Sequence, residues 1–189
     1  MANGTLPPPE TLRQLLRYEP DTGKLFWKQR DASFCKSKRA QKIFNTKHAG
    51  KQAFTSIDSL GYCQTSLSLG SQRYQLRAHR VAYAIMVGAW PDMDIDHINN
   101  NRTDNRWSNL RAATRSQNLA NKKSLGGASS FIGVAKAKNG KWCGYAAKAG
   151  KRHIKTFDAE IDAAKWRDDM ALRLHGEFAK LNFGGKNDL

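Results

Sequence analysis

A run of small residues divides this chain into two pieces that must each fold around a core of their own. Residues 126–130 read GGASS, a composition typical of flexible linkers. The chain has 189 residues, so each piece has the size of one small domain. We predict a first domain over residues 1–124, with its motif core at 93–123, a linker at 125–130 and a second domain over 131–184.

The chain is strongly basic, with 32 Lys and Arg against 16 Asp and Glu and a formal net charge of +16. A positive field of this size favours a polyanionic partner such as nucleic acid. No apolar stretch approaches the roughly 20 residues that span a bilayer, and the polar, proline-marked start lacks the pattern of a secretory signal. The three cysteines form no C-x-x-C pair, which disfavours a disulfide framework and thiolate-bound zinc. We therefore expect an intracellular, cytoplasmic protein that binds nucleic acid and no membrane.

Periodicity and turn residues predict the elements of the first domain. A short helix is predicted from Glu10 to Tyr18, and a turn at 21–23 leads into a strand at 24–28. Two strands, at 62–69 and 72–76, precede a helix from Arg77 to Val87 that ends at Gly88. Residues 28–51 carry eight basic side chains and one acidic one and are either a solvated loop or a phosphate-binding segment. The DNA contacts predicted there are Lys36, Lys38, Arg39 and Lys42.

The second domain is predicted to contain three strands and one helix. Strands at 131–137 and 141–148 flank Asn139-Gly140, a dipeptide favoured in hairpin turns. A third strand begins at Gly150, and apolar residues at helical spacing follow from 159 to 176. The fold class expected for the whole chain is α+β.

The segment from Ile95 to Asn118 carries the most distinctive pattern of polar residues. Asp96 and His97 are adjacent at the end of a short apolar strand, and Asn109 follows His97 by twelve residues, just before a second strand. Thr114 and the glutamine three residues later have the spacing of a helix capping box. Asn118 then falls in the first or second turn of that helix. A strand, loop, strand and helix in this order could bring these polar side chains to one point.

The chemistry of these residues suits hydrolysis of a phosphodiester. The carboxylate of Asp96 and the amide of Asn118 offer hard oxygen ligands, which Mg²⁺ and Mn²⁺ prefer. A divalent ion offsets the charge that develops on the phosphate. His97, with an ordinary pKa of about 6.5, is the candidate general base, and Asn109 can hold the loop by hydrogen bonds to its backbone. We predict one divalent ion, Mg²⁺ or Mn²⁺, in the site and no small-molecule cofactor.

The sequence DHINNNRTDNRWSNLR, followed by SQN, resembles the HNH endonuclease motif in the variant with Asn in the third position. The resemblance covers about residues 77–121, and the upstream sequence LRYEPDTGKLFWK is similar to phage-type members. It implies a ββα-metal fold in which Asp96 and Asn118 bind the metal, His97 is the general base and Asn109 is a structural brace. It further implies a homing-type endonuclease from a phage or bacterium that nicks or cuts double-stranded DNA as a monomer or weak homodimer.

The second domain is similar to the APETALA or ethylene-response-factor DNA-binding domain from Ser130 to Phe183. The landmarks SFIGVAKAKNGKWCGY and LHGEFAKLNF occur in the order of that family. The resemblance implies a three-stranded antiparallel sheet packed on one helix and laid in the DNA major groove. Where members carry first-strand arginines this chain has Ile132, Ala135 and Ala137, so the sequence preference does not carry over. The DNA contacts predicted in this domain are Lys136, Lys138, Asn139, Tyr145, Lys151 and His153.

Other interpretations stay open at this point. The Asn-rich loop around His97 can be an ordinary loop with an incidental histidine, or the motif can be a relic in a non-catalytic DNA-binding regulator. The charge alone is also compatible with an RNA-binding protein. His79, on the helix before the motif, is expected to be a packed helix residue rather than a ligand.

Overall fold

The computed structural model describes residues 6–120 and 129–184. The chain forms two compact units, the first containing residues up to 97 together with 101–112, and the second containing 98–100 and the residues from 113 onward. Four residues of the predicted linker, 125–128, lie outside the described ranges, and the predicted domain boundaries stay a prediction. Within the described residues, no helix combines the length and the apolar character needed to cross a membrane.

The first unit combines three helices with three small sheets. Strands β1, β2 and β3 form one sheet in that order, β4, β5 and β6 form a second, and β7 pairs with β8. In chain order the elements are α1 (Pro9–Leu15), β1 (Leu16–Glu19), β2 (Lys24–Trp27), α2 (Lys38–His48), β3 (Gln52–Ala53), β4 (Ser56–Ile57), β5 (Cys63–Leu69), β6 (Gln72–Arg77), α3 (Ala78–Val87), β7 (Asp94–His97) and β8 (Leu110–Ala113).

Two hydrophobic clusters hold these elements together. The larger one joins α1, the first two sheets and α3 through fully buried side chains that include Leu12, Leu67 and Val81. The smaller one packs β7 and β8 against α3 through Ile95 and Leu110. Because aliphatic burial contributes roughly 25 cal/mol per Å² of apolar surface, this second cluster fixes the strand pair that carries the polar motif.

Two sequence predictions for this unit are wrong in part. The helix predicted to run to Tyr18 ends at Leu15, because residues 16–19 instead pair antiparallel with β2 across a turn in which Gly23 has a φ of +70°. Residues 38–48, for which no regular structure was predicted, form α2. The strands at 63–69 and 72–77 and the end of α3 at Gly88, whose φ is +82°, agree with the predictions.

The second unit is a three-stranded sheet backed by a helix. Strands β9, β10 and β11 are antiparallel with β10 in the centre, and the buried Ala163 and Ala164 pack against Val134 of β9. The helix approaches β10 so closely that a Cβ at Gly144 would lie 2.6 Å from the Ala163 carbonyl oxygen. The elements are α4 (Arg115–Ala120), β9 (Val134–Lys136), β10 (Trp142–Lys148), β11 (Lys151–Phe157) and α5 (Glu160–His175).

The local predictions for the second unit are confirmed except at the first strand. The hairpin turn at Asn139-Gly140 is present, with a φ of +83° at Gly140. The first strand begins at Val134 rather than at residue 131, because the chain turns at Gly133, whose φ is +68°. The mixture of helices and strands in both units confirms the α+β class at that level.

Candidate active site

The strand pair β7–β8 carries three of the predicted site residues. Asp96 and His97 are the last two residues of β7, and Asn109 directly precedes β8. Their relative exposures are only 6 %, 4 % and 6 %. Polar side chains buried to this extent need hydrogen-bond partners, and the partners define the site.

The Asp96 carboxylate is paired with an arginine on the neighbouring strand. The Nε and Nη2 atoms of Arg111 lie 3.1 and 3.0 Å from Oδ2 of Asp96. A buried carboxylate needs such compensation, because an unpaired charge is costly to desolvate. The pairing holds Asp96 in one orientation beside His97.

The imidazole of His97 contacts the side-chain amide of Asn105. His97 Nε2 lies 3.2 Å from Oδ1 of Asn105, whose Nδ2 donates to the Thr103 carbonyl at 3.1 Å. In the tautomer that donates from Nε2 to this oxygen, the lone pair of the neutral ring is on Nδ1. Burial is the largest influence on the pKa of His97 and lowers it, which favours the neutral imidazole.

Sequence reasoning treated Asn105 as an ordinary loop former and missed this role. Asn105 lies eight residues after His97 in an asparagine-rich loop, and nothing in its spacing distinguishes it from its neighbours. Only the folded loop shows which asparagine reaches the ring.

The loop that carries Asn105 is braced by the first hairpin and by Asn109. The Asn109 amide Nδ2 donates to the Asp104 carbonyl at 2.8 Å, and the Tyr18 hydroxyl donates to the Asn105 carbonyl at 2.7 Å. At the turn between β1 and β2, a Cβ on Gly23 would lie 2.4 Å from the Asn105 carbonyl carbon. Burial, the largest cause, raises the pKa of Tyr18 to about 12, so its hydroxyl remains a donor.

Two further rings pack against His97. The Tyr62 ring centroid lies 4.8 Å from that of His79 and 5.9 Å from that of His97, and the two histidine rings meet edge-on at 5.1 Å. His79 is buried, and its Nδ1 has no hydrogen-bond partner among the described residues. The expectation of a packed helix residue at His79 is confirmed, but one of its packing partners is the candidate general base.

The fourth predicted site residue, Asn118, lies in α4 of the second unit. The capping box predicted before it is present: the Thr114 backbone N–H donates to Gln117 Oε1 at 2.8 Å, and the Gln117 N–H donates to Thr114 Oγ1 at 3.3 Å. Asn118 follows in the first turns of α4, and its backbone N–H donates to the Thr114 carbonyl at 2.9 Å. Because Asp96 and Asn118 belong to different units, their meeting at one metal ion stays a prediction.

The donor chemistry fits a hard divalent ion. Within residues 6–120 and 129–184, no group of three or more His, Cys, Asp or Glu side chains could hold a metal. A magnesium site does not require such a group, since Mg²⁺ keeps several waters and binds through one or two carboxylates plus substrate phosphates. The carboxylate of Asp96 and the amide oxygen of Asn118 are ligands of that class.

Comparison with known proteins finds a nuclease family model that matches the segment containing the strand pair and α4. This segment has a buried Asp-His step on a strand pair and a short capped helix, and residues 76–120 match the family model described as HNH endonuclease. Over 111 residues the chain is 37% identical to an uncharacterized HNH endonuclease of Acanthamoeba polyphaga mimivirus, covering 57% of this chain and 58% of that protein. These matches support an HNH endonuclease domain.

A solved structure of the HNH homing endonuclease I-HmuI, described as binding and cleaving DNA, is similar over 56% of this chain and 50% of that chain. Its sequence identity is 21% and its TM-score 0.37. The chain therefore spans between half and three fifths of the length of these relatives. The ethylene-response-factor resemblance of the second domain stays a prediction.

The predicted DNA contacts of the first unit surround the outer face of α2. This helix is capped by Ser37, whose Oγ accepts from the Ala40 N–H at 3.1 Å. Its inner face is fixed by Gln41 and Asn45, which donate to the Arg30 carbonyl at 2.9 and 3.1 Å. The exposed basic residues on or next to the outer face include all four predicted contacts, Lys36, Lys38, Arg39 and Lys42.

In the second unit, strand register separates the predicted contacts into two groups. Alternate residues of β10, Trp142, Gly144 and Ala146, face α5. Ala146 pairs with His153, and Trp142 pairs with Lys136. Because directly paired residues share one face of a sheet, His153 and Lys136 lie on the helix side. The Lys136 ammonium lies 5.7 Å from the centroid of the Trp142 ring. DNA contact by Lys136 and His153 stays a prediction.

The open face of this sheet carries Tyr145, as expected for a contact residue. Tyr145 pairs with Ile154, and the two side chains are 43% and 57% exposed. Arg152, which sequence reasoning did not select, pairs with Ala147 on the same face. The remaining predicted contacts are exposed at the strand ends and turns: Lys138, Asn139 and Lys151.

Proposed function

We propose that the chain is a metal-dependent endonuclease that hydrolyses phosphodiester bonds of double-stranded DNA. The observation that carries this proposal is the buried His97, whose Nε2 contacts the Asn105 amide oxygen next to the Asp96 carboxylate. It lies within the stretch that matches the HNH endonuclease model. A neutral imidazole with a lone pair on one ring nitrogen is the group that general-base activation of water requires at neutral pH.

Each polar residue of the site has a defined part in this reaction. Nδ1 of His97 accepts a proton from the attacking water, and Asn105 stabilises the resulting imidazolium through Nε2–H. The water oxygen bonds to phosphorus, and the bond to the 3′ oxygen breaks. The 3′ oxygen takes a proton from a solvent water, which leaves a 5′ phosphate and a 3′ hydroxyl. Asn109 keeps the loop in place through the Asp104 carbonyl.

Asp96 and Asn118 would hold the divalent ion, Mg²⁺ or Mn²⁺. When bound, such an ion compensates the negative charge on the phosphate and on the leaving oxygen. Arg111 keeps the Asp96 carboxylate oriented before the ion arrives, through its two contacts with Oδ2. One such site per chain is expected to nick one strand, and cutting both strands needs a second chain or a second encounter.

Exposed basic residues outside the site are proposed to hold the DNA. In the first unit these are Lys36, Lys38, Arg39 and Lys42 around α2. In the second unit we propose a separate target-recognition domain, as in a homing-type enzyme. Its contacts are on the open face at Tyr145 and at the exposed Lys138, Asn139 and Lys151. Two further proposed contacts, Lys136 and His153, lie on the helix side of the sheet. Lysine and arginine contacts to phosphates predict an affinity that falls steeply with salt.

The test is nicking of supercoiled plasmid by the purified chain with Mg²⁺ or Mn²⁺. Wild type is expected to nick, EDTA to abolish nicking, and His97→Ala to slow nicking by at least about 100-fold while DNA binding persists, since general-base catalysis contributes about 10²–10⁴-fold. His48→Ala, an exposed histidine on α2, is the matched control. A wild-type protein that shifts DNA but never nicks it with either ion contradicts the proposal and favours a non-catalytic DNA-binding regulator.

A further inference from the structure

We propose that Arg102 binds a DNA phosphate beside the His97 imidazole, and that Tyr62 holds the Arg102 guanidinium in position to do so. The inference rests on the proposed endonuclease function and adds to it a residue that contacts the substrate. Arg102 lies in the loop between β7 and β8, eight residues before β8 begins.

The Arg102 side chain is exposed, yet two contacts hold it. Its guanidinium carbon lies 4.9 Å from the centroid of the Tyr62 ring, and Nη1 donates to the Leu60 carbonyl. An arginine held from two sides loses little further rotational freedom when it binds an anion. Its remaining N–H groups can form the paired hydrogen bonds with which guanidinium recognises phosphate.

The charge of Arg102 is also uncompensated, in contrast to that of its neighbours. The guanidinium carbon of Arg77 lies 4.6 Å from the centroid of the same Tyr62 ring. Arg77 is paired with Asp58, since its Nη2 lies 2.8 Å from Oδ2 of that carboxylate. Arg106, in the same loop, is paired with Asp104 at 2.6 Å. In the part of the chain that the structure describes, no carboxylate pairs with Arg102. The site therefore keeps one positive charge for an incoming anion.

The position of this charge relates it to the reaction. The Tyr62 ring contacts Arg102 on one side and lies 5.9 Å from the His97 ring, with the buried His79 packed against it at 4.8 Å. The positive charge of Arg102 is close enough to contribute to lowering the pKa of His97. An exposed cation that shares the Tyr62 ring with the candidate base is placed to bind a backbone phosphate when water attacks.

A purely structural role for Arg102 makes different predictions from a phosphate-binding role. If Arg102 only anchors the loop to Leu60, replacing it should change thermal stability and leave the salt dependence of DNA binding unaltered. If it binds a phosphate, its loss removes one ionic contact, which lowers the slope of log affinity against log salt by about one.

The experiment compares the full-length chain with Arg102→Gln, Arg102→Lys and the control Arg106→Gln, whose charge is already paired. Plasmid nicking is measured over a range of plasmid concentrations to obtain kcat and KM, alongside DNA binding at several salt concentrations and thermal unfolding. Arg102→Gln is expected to lower kcat/KM by about tenfold or more and the salt slope by about one. Arg106→Gln should stay within about twofold of wild type, because an exposed ion pair contributes little.

The outcomes separate this inference from the proposed function. If wild type does not nick, the endonuclease proposal is wrong, and an unchanged salt slope in Arg102→Gln would independently reject phosphate binding. If wild type nicks and Arg102→Gln matches it in both kcat/KM and salt slope, the inference is overturned. Should Arg102→Gln fail to fold, Arg102→Lys decides: it keeps the charge but not the planar fork, and unchanged kcat/KM in a folded Arg102→Lys rejects recognition by the guanidinium.

Discussion

Burial makes His79 a source of acid sensitivity in the first unit. Its ring is enclosed by Tyr62 and His97, and its Nδ1 has no hydrogen-bond partner in the part of the chain that the structure describes. Desolvation, the largest cause, lowers the pKa of His79 from 6.5 to about 3, with smaller effects in the same direction from the charges of His97 and of the arginines at 77 and 80. The folded state therefore holds His79 neutral well below neutral pH.

The sign of the stability effect follows from proton binding. Between a pKa of about 3 in the folded chain and 6.5 in the unfolded chain, the unfolded state binds more protons, so acid favours unfolding. The contribution of His79 to the free energy of unfolding is fully present above about pH 6.5 and is lost as the pH falls. Each pH unit below the unfolded pKa lowers the free energy of unfolding by about 1.4 kcal/mol, so at about pH 5 the loss from His79 alone is roughly 2 kcal/mol.

The assay is urea unfolding of wild type and His79→Leu, followed by tryptophan fluorescence at about pH 7 and about pH 5. Wild type is expected to lose roughly 2 kcal/mol more than the variant on acidification, because the other histidines are common to both proteins. The ring resonances of His79 should also show no titration in NMR spectra between these pH values. Equal acid losses in the two proteins, or a His79 resonance that titrates near pH 6.5, would refute the reasoning.

Two further substitutions, each with a matched control, test the contacts that support the two units. Gly23→Ala places a Cβ 2.4 Å from the backbone of the site loop at a φ of +70° and is expected to lower the free energy of unfolding by about 2 kcal/mol or more and to slow nicking. Gly70→Ala, also at positive φ but with nothing within 4 Å, should lower it by only about 1 kcal/mol and leave nicking unchanged. Asp168→Ala removes a buried carboxylate that accepts the backbone N–H groups of residues 182 and 183 and is expected to destabilise the second unit by about 3 kcal/mol. Asp169→Ala breaks only an exposed ion pair and should change the free energy of unfolding, measured in urea, by less than about 0.5 kcal/mol.

Elements that the sequence predicted correctly are those set by contacts between near neighbours. Gly88 ends α3 because a left-handed residue closes the helix, Thr114 caps the start of α4 through its capping box, and Asn139-Gly140 lies in a three-residue turn, 138–140, that closes with Gly140 at positive φ. In each case the residues that decide the structure lie within a few positions of one another. No distant part of the chain has to be known.

Elements that the sequence did not predict depend on distant partners. Residues 16–19 continue the helical periodicity of α1, yet they form β1 because β2 provides a ladder of hydrogen bonds. The helix α2 has no buried residue of its own. It is held by Arg30, whose guanidinium stacks 3.5 Å from the Phe44 ring and whose backbone bonds Asn45, a set of contacts that a basic segment does not reveal.

The same distinction applies within the candidate site. The adjacency of Asp96 and His97 and the place of Asn109 before β8 are visible in the sequence, because they are positions along two paired strands. The partners of His97 come from elsewhere: Asn105 from the loop, Tyr62 from before β5. A single sequence carries no signal for which of many asparagines, tyrosines and arginines reach the imidazole.

The contacts of the first hairpin imply that the functional part of the first unit is larger than the stretch that matches the HNH endonuclease model, residues 76–120. The hairpin holds the site loop at three places: the Tyr18 hydroxyl on the Asn105 carbonyl, the Trp107 N–H on the Pro20 carbonyl at 2.9 Å, and Gly23 against the loop backbone. Asn105 in turn contacts the His97 ring through Oδ1. A fragment limited to the matched stretch would keep Asp96 and His97 but lose these supports, so the orientation of the candidate base depends on residues nearly ninety positions before the loop.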